Sequence, residues 1–197
     1  MHLLFVCTGN ICRSPIAERL TVAYAETEQE ALGGVMTASS AGTAAVVGHP
    51  MEPSAQLVLT GLGGSADGFT ARQLVVEDIA PADLVLTMTR RHRVAVLQLA
   101  PRMMSRTFTL REAASLLPAV DTGSLASEPD LESRGRQLTG AMAQLRAGRI
   151  AQQGRQGDDI LDPIGGDLQK FQRVGDAIAG TLVPLLGALA GTKVKPG

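Results

Sequence analysis

The chain has no tryptophan, one tyrosine and four phenylalanines, so aromatic residues fill only 3% of its 197 positions. That scarcity argues against a base-stacking platform for single-stranded nucleic acid. Two cysteines are too few for a disulfide scaffold or a closed four-ligand zinc site. Neither charge is in excess, since 18 Lys and Arg face 19 Asp and Glu for a net charge of −1. A global positive field of the kind that attracts nucleic acid is therefore excluded. No apolar run reaches the roughly 20 residues that span a bilayer. The most apolar window, Ala177–Gly191, is shorter and contains Pro184, and reads as a buried C-terminal helix. The opening run Leu3–Val6 lacks the basic flank and small-residue cleavage site of a secretory signal. No membrane partner is expected, and a reducing cytoplasm is the expected compartment.

Apolar residues make up 45% of the chain, which rules out disorder as its main state. At about 150 residues per domain the length fits one domain, or one domain carrying an insertion. A chain of this size buries roughly 70% of its unfolded surface without needing cross-links.

The run His2–Val6 is short and apolar and stops at Cys7-Thr8-Gly9, as a strand buried on both faces does. Ser14-Pro15 then opens a helix, with Ser14 as the expected N-cap and Pro15 at the first helical position. Ile16, Leu20, Ala23 and Tyr24 recur at helical spacing, and Gly33-Gly34 ends the segment. Val35–Ser39 is expected as a second strand, followed by a Gly- and Pro-containing loop and a helix over Ser54–Leu62. Asp83–Thr87 reads as a third strand, followed by a basic helix over Arg90–Leu99. Arg106–Thr109 reads as a fourth, followed by an apolar helix over Leu110–Leu117. Strands alternating with helices predict an α/β fold with a doubly wound parallel sheet and helices on both faces.

Between residues 118 and 158 the texture changes. Asp121–Glu128 and Gln152–Asp159 are rich in small and polar residues and read as flexible ends of an insertion. Between them Leu138, Met142 and Leu145 form one stripe of a short helix. Its other face, with Arg134, Arg136, Arg146 and Arg149, is read as solvated, with an acidic partner as the alternative.

The stretch from Cys7 to Pro15 carries the chemistry. It lies at the carboxyl end of the first strand, where open α/β sheets bind ligands. Successive backbone N–H groups of Thr8, Gly9, Asn10, Ile11 and Cys12 can form an anion nest, and the helix start adds free N–H groups and a positive dipole end. Gly9 permits a positive φ and Asn10 tolerates the left-handed region. Arg13 offers a planar fork to two oxygens of a tetrahedral oxyanion. These features fit a phosphate, held by residues 8–14.

Cys7 turns the binding loop into a reactive one. An ordinary thiol has a pKa near 8.5 and is mostly neutral at pH 7, but N–H groups, a helix N-terminus and an arginine stabilise the thiolate. Ser14 supplies a further hydrogen bond to the sulfur. A thiolate beneath a phosphorus atom attacks in line and forms a phosphocysteine. The leaving oxygen then needs a proton, for which Asp158, Asp159, Asp162 and Asp167 are the candidates. Asp162 stands out because Pro163 fixes the chain just after it. The competing role for such an Asp is a helix cap.

Cys7-x5-Arg13-Ser14, with its interior Thr-Gly-Asn-Ile-Cys, resembles the phosphate loop of low-molecular-weight protein tyrosine phosphatases. Ser39–Thr43, Ala71–Leu74, Ala82–Leu86 and Asp162-Pro163 follow in that family's order, leaving about 118–158 unmatched as an insertion within a single domain. The resemblance implies a four-stranded parallel sheet ordered 2-1-3-4. It makes Cys7 the nucleophile, Arg13 the phosphate ligand, and Asp162 first the general acid and then the base for water. It also pairs Asn10 with Ser40 as loop support, and it requires no metal or cofactor. The implied partner is a phosphorylated protein. Where relatives place aromatic walls, this chain has Ile164-Gly165 and Ala45-Val46-Val47. Ile11 stands where related arginine phosphatases have Thr, which favours phosphotyrosine.

Two other functions share the loop. An arsenate reductase of the same fold would need an external thiol, because no cysteine beyond Cys7 and Cys12 exists to relay a disulfide. A non-catalytic phosphate-binding regulator would be expected to lack Cys7, Arg13 or the acid, and all three are present. Cys12 reads equally as a small buried hydrophobe or as a redox guard that pairs with Cys7. His2, His49 and His92 read as surface or loop residues. Arg90-Arg91-His92-Arg93 reads as a solvated helix start, with docking of an acidic segment as its functional alternative. Arg72 and Gln73 receive no role.

Overall fold

Alternation along the first strand sets the architecture. In β1 (His2–Cys7) successive side chains point to opposite faces, and both faces are apolar. Leu3 and Phe5 join one core while Leu4 and Val6 join a second on the other side. Only a strand in the middle of a sheet covered on both sides satisfies that pattern. The structure, a computed structural model, describes residues 1–149 and 157–191.

After β1 come α1 (Arg13–Thr27), the single-turn α2 (Gln29–Leu32), β2 (Thr37–Gly42) and α3 (Pro53–Gly61). The second half has the short α4 (Val76–Ile79), β3 (Leu84–Thr87), α5 (Arg90–Leu99), β4 (Thr107–Thr109) and α6 (Leu110–Leu116). A short α7 (Thr122–Ala126) and the long α8 (Leu131–Arg149) follow, and α9 (Leu168–Leu189) ends the fold. The four strands are parallel in the order β2-β1-β3-β4. The larger core gathers Leu3, Phe5 and Phe108 with Ile16, Leu59, Leu138, Ile178 and Leu182 from the helices on that face. The smaller one packs Leu4, Val6 and Val85 against Ile79, Val96 and Met103. Sheet order and two-sided cover match the sequence expectation.

Three local expectations change. The second strand runs over Thr37–Gly42 rather than Val35–Ser39. Its Ser39 and Ser40 pair with Leu4 and Phe5, so backbone pairing beside the central strand outweighs the weak strand propensity of Ser-Ser-Ala-Gly. Exposed Val35 stays outside the sheet. Helix α1 starts at Arg13 with Cys12 at the N-cap, so Ser14 lies inside the first turn and does not cap it.

The third concerns residues 118–158. Asp121–Glu128 is not flexible texture, because Asp121 caps α7 through the N–H groups of Gly123 and Ser124. Nor is α8 a detached helix with a solvated basic face. Its Leu131, Leu138 and Met142 are fully buried, and Arg134 and Arg146 are buried with them. The Arg134 guanidinium donates to the carbonyls of Leu189, Glu128 and Leu32. Leu189 and Leu32 end α9 and α2, so one cation serves two helix C-termini. Arg146 donates to the carbonyls of Thr107 and Met104 and lies 4.3 Å over the Phe108 ring. Arg136 keeps the exposed position expected of it. The Arg149 side chain and most of Gln152–Asp159 lie outside the described residues. Among the described residues no helix is long and apolar enough to cross a membrane.

Candidate active site

The site is built where β1 gives way to α1. The carbonyls of Cys7, Thr8, Gly9 and Ile11 accept N–H groups from Thr43, Ala44, Val46 and Glu52 at 2.8–3.0 Å. In a planar trans peptide the next N–H points opposite to the carbonyl. The N–H groups of Gly9, Asn10 and Cys12 are therefore turned to the other side of the loop, away from residues 43–52. The Asn10 N–H reaches the Cys7 sulfur at 3.3 Å. A Cβ on Gly42 would lie 2.3 Å from the Thr8 carbonyl oxygen, so a glycine is required where β2 passes the loop. The left-handed residue is Asn10, with φ of 55°, the one non-glycine residue with positive φ among those described. Gly9 does not adopt a positive φ.

Asn10 is fully buried and uses its amide completely. Its Oδ1 accepts the Arg72 N–H at 2.9 Å, which fixes the amide orientation. Its Nδ2 then donates to Ser14 Oγ at 3.0 Å and to Ser40 Oγ at 2.7 Å. Ser40 passes its own proton to Glu18 Oε2 at 2.6 Å. Because Ser14 Oγ accepts from Asn10, its hydroxyl proton is free to point at Cys7 Sγ, 2.9 Å away. All donors in this chain are thus oriented to favour negative charge on the sulfur. Burial pushes the Glu18 carboxyl above the ordinary carboxylate range, against the lowering effect of the Ser40 hydroxyl.

Arg13 projects from the first residue of α1 and is buried. It donates to the Ile160 carbonyl at 3.1 Å and to Asp162 Oδ2 at 2.5 Å. Its Nε is buried without a protein partner among the described residues, a donor left over for an oxyanion. Asp162 is half exposed and also accepts the Ile164 N–H. The other acidic candidates are occupied or lack a contact with Arg13. Asp159 accepts the Arg90 N–H, and Asp167 caps α9 through the Lys170 N–H. Arg13, on the same loop as Cys7, and Asp162 therefore meet across 149 residues of sequence.

Val46, Val47 and Ile164, the expected aliphatic walls, are exposed; the Val46 N–H bonds the Gly9 carbonyl and the Ile164 N–H bonds Asp162. Cys12 is buried, and burial together with the neighbouring Cys7, Glu52 and Asp162 pushes its thiol up to about 12. Both cysteines are free.

Several residues here escaped the sequence reading. Arg72 holds the site from behind, donating through Nε to the Ser40 carbonyl and pairing with Asp78. Gln73 accepts the Ala45 N–H and donates to the Thr43 carbonyl, which braces the 43–46 turn. The Ala71–Leu74 segment was visible as a motif, but its targets are backbone atoms. His92 is not a surface residue. It is buried, with Nε2 2.8 Å from Thr8 Oγ1 and Nδ1 3.0 Å from Thr89 Oγ1. Burial first, and the Arg13 charge second, lower its pKa to about 4, so the ring is neutral at pH 7. Of the basic cluster, only Arg90 and Arg91 are exposed.

Comparison with known proteins agrees with this arrangement. The profile described as "Low molecular weight phosphotyrosine protein phosphatase" matches residues 2–121. The chain is 38% identical over 104 residues to the low molecular weight protein-tyrosine-phosphatase Wzb of Salmonella typhi, covering 53% of this chain and 64% of that one. It therefore spans less than two thirds of that relative's length. It is also 38% identical over 114 residues to a protein-arginine-phosphatase of Geobacillus stearothermophilus, covering 58% and 72%. The solved low molecular weight protein tyrosine phosphatase from T. tengcongensis superposes with a TM-score of 0.67 at 28% identity, covering 94% of this chain and 97% of its own. Profile, relatives, sheet order and loop geometry agree, and the chain belongs to the low molecular weight phosphotyrosine protein phosphatase family.

Proposed function

We propose that the protein is a metal-independent protein tyrosine phosphatase working through a phosphocysteine. The chain would be one phosphatase domain with an insertion at about 118–158. The observation that supports the reading is one loop in which Asn10 and Ser14 bond Cys7 Sγ while Arg13, with its Nε spare, bonds Asp162. In the first step the Cys7 thiolate attacks phosphorus in line. The bond to the leaving oxygen breaks, and Asp162 gives that oxygen its proton. Arg13 and the loop N–H groups of residues 8–14 hold the equatorial oxygens. In the second step water attacks phosphorus, Asp162 takes its proton, and the sulfur–phosphorus bond breaks to release phosphate and thiolate. The Asn10–Ser40 pair supports the loop throughout.

The substrate is a phosphorylated protein, with phosphotyrosine favoured. Val46, Val47 and Ile164 offer aliphatic surface to a ring, and Ile11 offers no hydrogen bond to a guanidinium. A cytoplasmic location suits two free cysteines. The test is hydrolysis of p-nitrophenyl phosphate near pH 6 with EDTA and a reductant. Wild type should turn over, and Cys7→Ser should not while still binding phosphate. An inactive wild type that reduces arsenate with an added thiol would replace this reading with the reductase; a folded protein that binds phosphate and does neither would replace it with a regulator.

A further inference from the structure

His92 has no part in the scheme above, yet it is a fully occupied polar side chain in direct contact with the phosphate loop. Thr89 Oγ1 accepts the His92 backbone N–H at 3.2 Å, which leaves its hydroxyl proton available to the ring. In the tautomer in which Nδ1 accepts that proton, the ring hydrogen sits on Nε2 and donates to Thr8 Oγ1. The turn that carries His92 also touches the acid-bearing segment. The Met88 carbonyl accepts the Ile160 N–H at 2.8 Å, and the Arg90 N–H donates to Asp159 Oδ1 at 2.8 Å. The Met88 N–H in turn bonds the Val6 carbonyl, one residue before the cysteine. Residues 88–92 thus grip both the strand end and loop on one side and residues 159–160 on the other.

We propose that His92 is a positioning residue that registers the phosphate loop, through Thr8, against the segment carrying Asp162. The proposal rests on Asp162 being the acid of the reaction. Thr8 is exposed and His92 comes from another element, so this hydrogen bond is a side-chain tie between the first loop residue and residues 88–92. Without it the loop and the acid are held in separate elements with less to fix their spacing. Displacements well below the size of a side chain are costly for proton transfer.

The readout is the ratio of kcat/KM for p-nitrophenyl phosphate to kcat/KM for phenyl phosphate, because kcat/KM reports only the steps through loss of the leaving group and excludes the shared hydrolysis of the phosphocysteine. The first leaving group hardly needs a proton and the second does. Full-length wild type, His92→Leu, His92→Gln, Thr8→Val, the Leu–Val double variant and Asp162→Asn are compared. His92→Leu and Thr8→Val should each raise the ratio by about tenfold, and the double variant should do no more than the larger single. His92→Gln, whose amide can replace the Nε2 donor, should recover most of the loss. Equal losses on both substrates, additive single effects, or a Gln variant as impaired as Leu would overturn the proposal. If His92→Leu does not fold, Thr8→Val at the exposed end carries the same test. A ratio unchanged in Asp162→Asn would instead remove Asp162 as the acid, and the proposal with it. A ratio that moves in Asp162→Asn but not in His92→Leu removes the proposal alone.

Discussion

Replacing Asn10 should cost both stability and activity, by an amount the geometry sets. The side chain makes three hydrogen bonds, to the Arg72 N–H, Ser14 Oγ and Ser40 Oγ, the last two fully buried. At about 1 kcal/mol each they contribute roughly 3 kcal/mol. An alanine must also hold the left-handed φ of 55°, which costs about 1 kcal/mol more for a residue with a Cβ. Asn10→Ala should therefore destabilise by about 4 kcal/mol and Asn10→Gly by about 3 kcal/mol, since glycine is free of the backbone cost. Urea unfolding of the reduced protein at pH 7 measures both, provided the m-value is unchanged. Turnover should fall in both variants, because Ser14 is no longer held with its proton towards the sulfur. Losses below 1 kcal/mol, or an alanine variant as stable as the glycine variant, would refute the reasoning.

Other consequences are separable. Arg134→Met strips the shared donor from three carbonyls and should cost about 3–5 kcal/mol, with p-nitrophenyl phosphate turnover unchanged well below the melting temperature; a loss under 1 kcal/mol would restore the solvated face. Glu18 binds its proton more tightly in the folded state than in the unfolded chain, because burial raises its pKa. Its ionisation therefore costs stability as pH rises from the ordinary carboxylate value towards neutrality. Glu18→Gln keeps an acceptor for Ser40 and should gain on wild type over that range in unfolding experiments; a pH-independent difference would contradict it. Ile11→Thr gives a guanidinium N–H an acceptor in place of a methyl group. It should raise the kcat/KM preference for phosphoarginine over phosphotyrosine peptides by about tenfold, and an unchanged ratio would remove Ile11 from specificity.

The loop was legible because its chemistry is local. Cysteine, left-handed Asn, arginine and serine within eight residues announce an anion site, and the alternating apolar face of β1 announces the sheet around it. Asp162 was legible because Pro163 marks it. What stayed hidden acts at a distance. Arg134 and Arg146 look like a solvated stripe, since all but one of their carbonyl acceptors lie 39 to 102 residues away. His92 meets Thr8 across 84 residues, and Arg72 meets Asn10 across 62. Ser14 followed by proline has the composition of an N-cap, but its hydroxyl faces the sulfur, and the helix begins two residues earlier than that cap implies. Backbone pairing, not propensity, extends β2 through Ser40 to Gly42.

The covalent intermediate is the claim on which the rest depends. Wild-type protein mixed with p-nitrophenyl phosphate and quenched in acid during turnover should carry one phosphoryl group, and peptide mass spectrometry should place it on Cys7. Cys7→Ser should release no p-nitrophenol under the same conditions. Turnover by wild type with no phosphoryl group on Cys7, or with one on another residue, would contradict the mechanism.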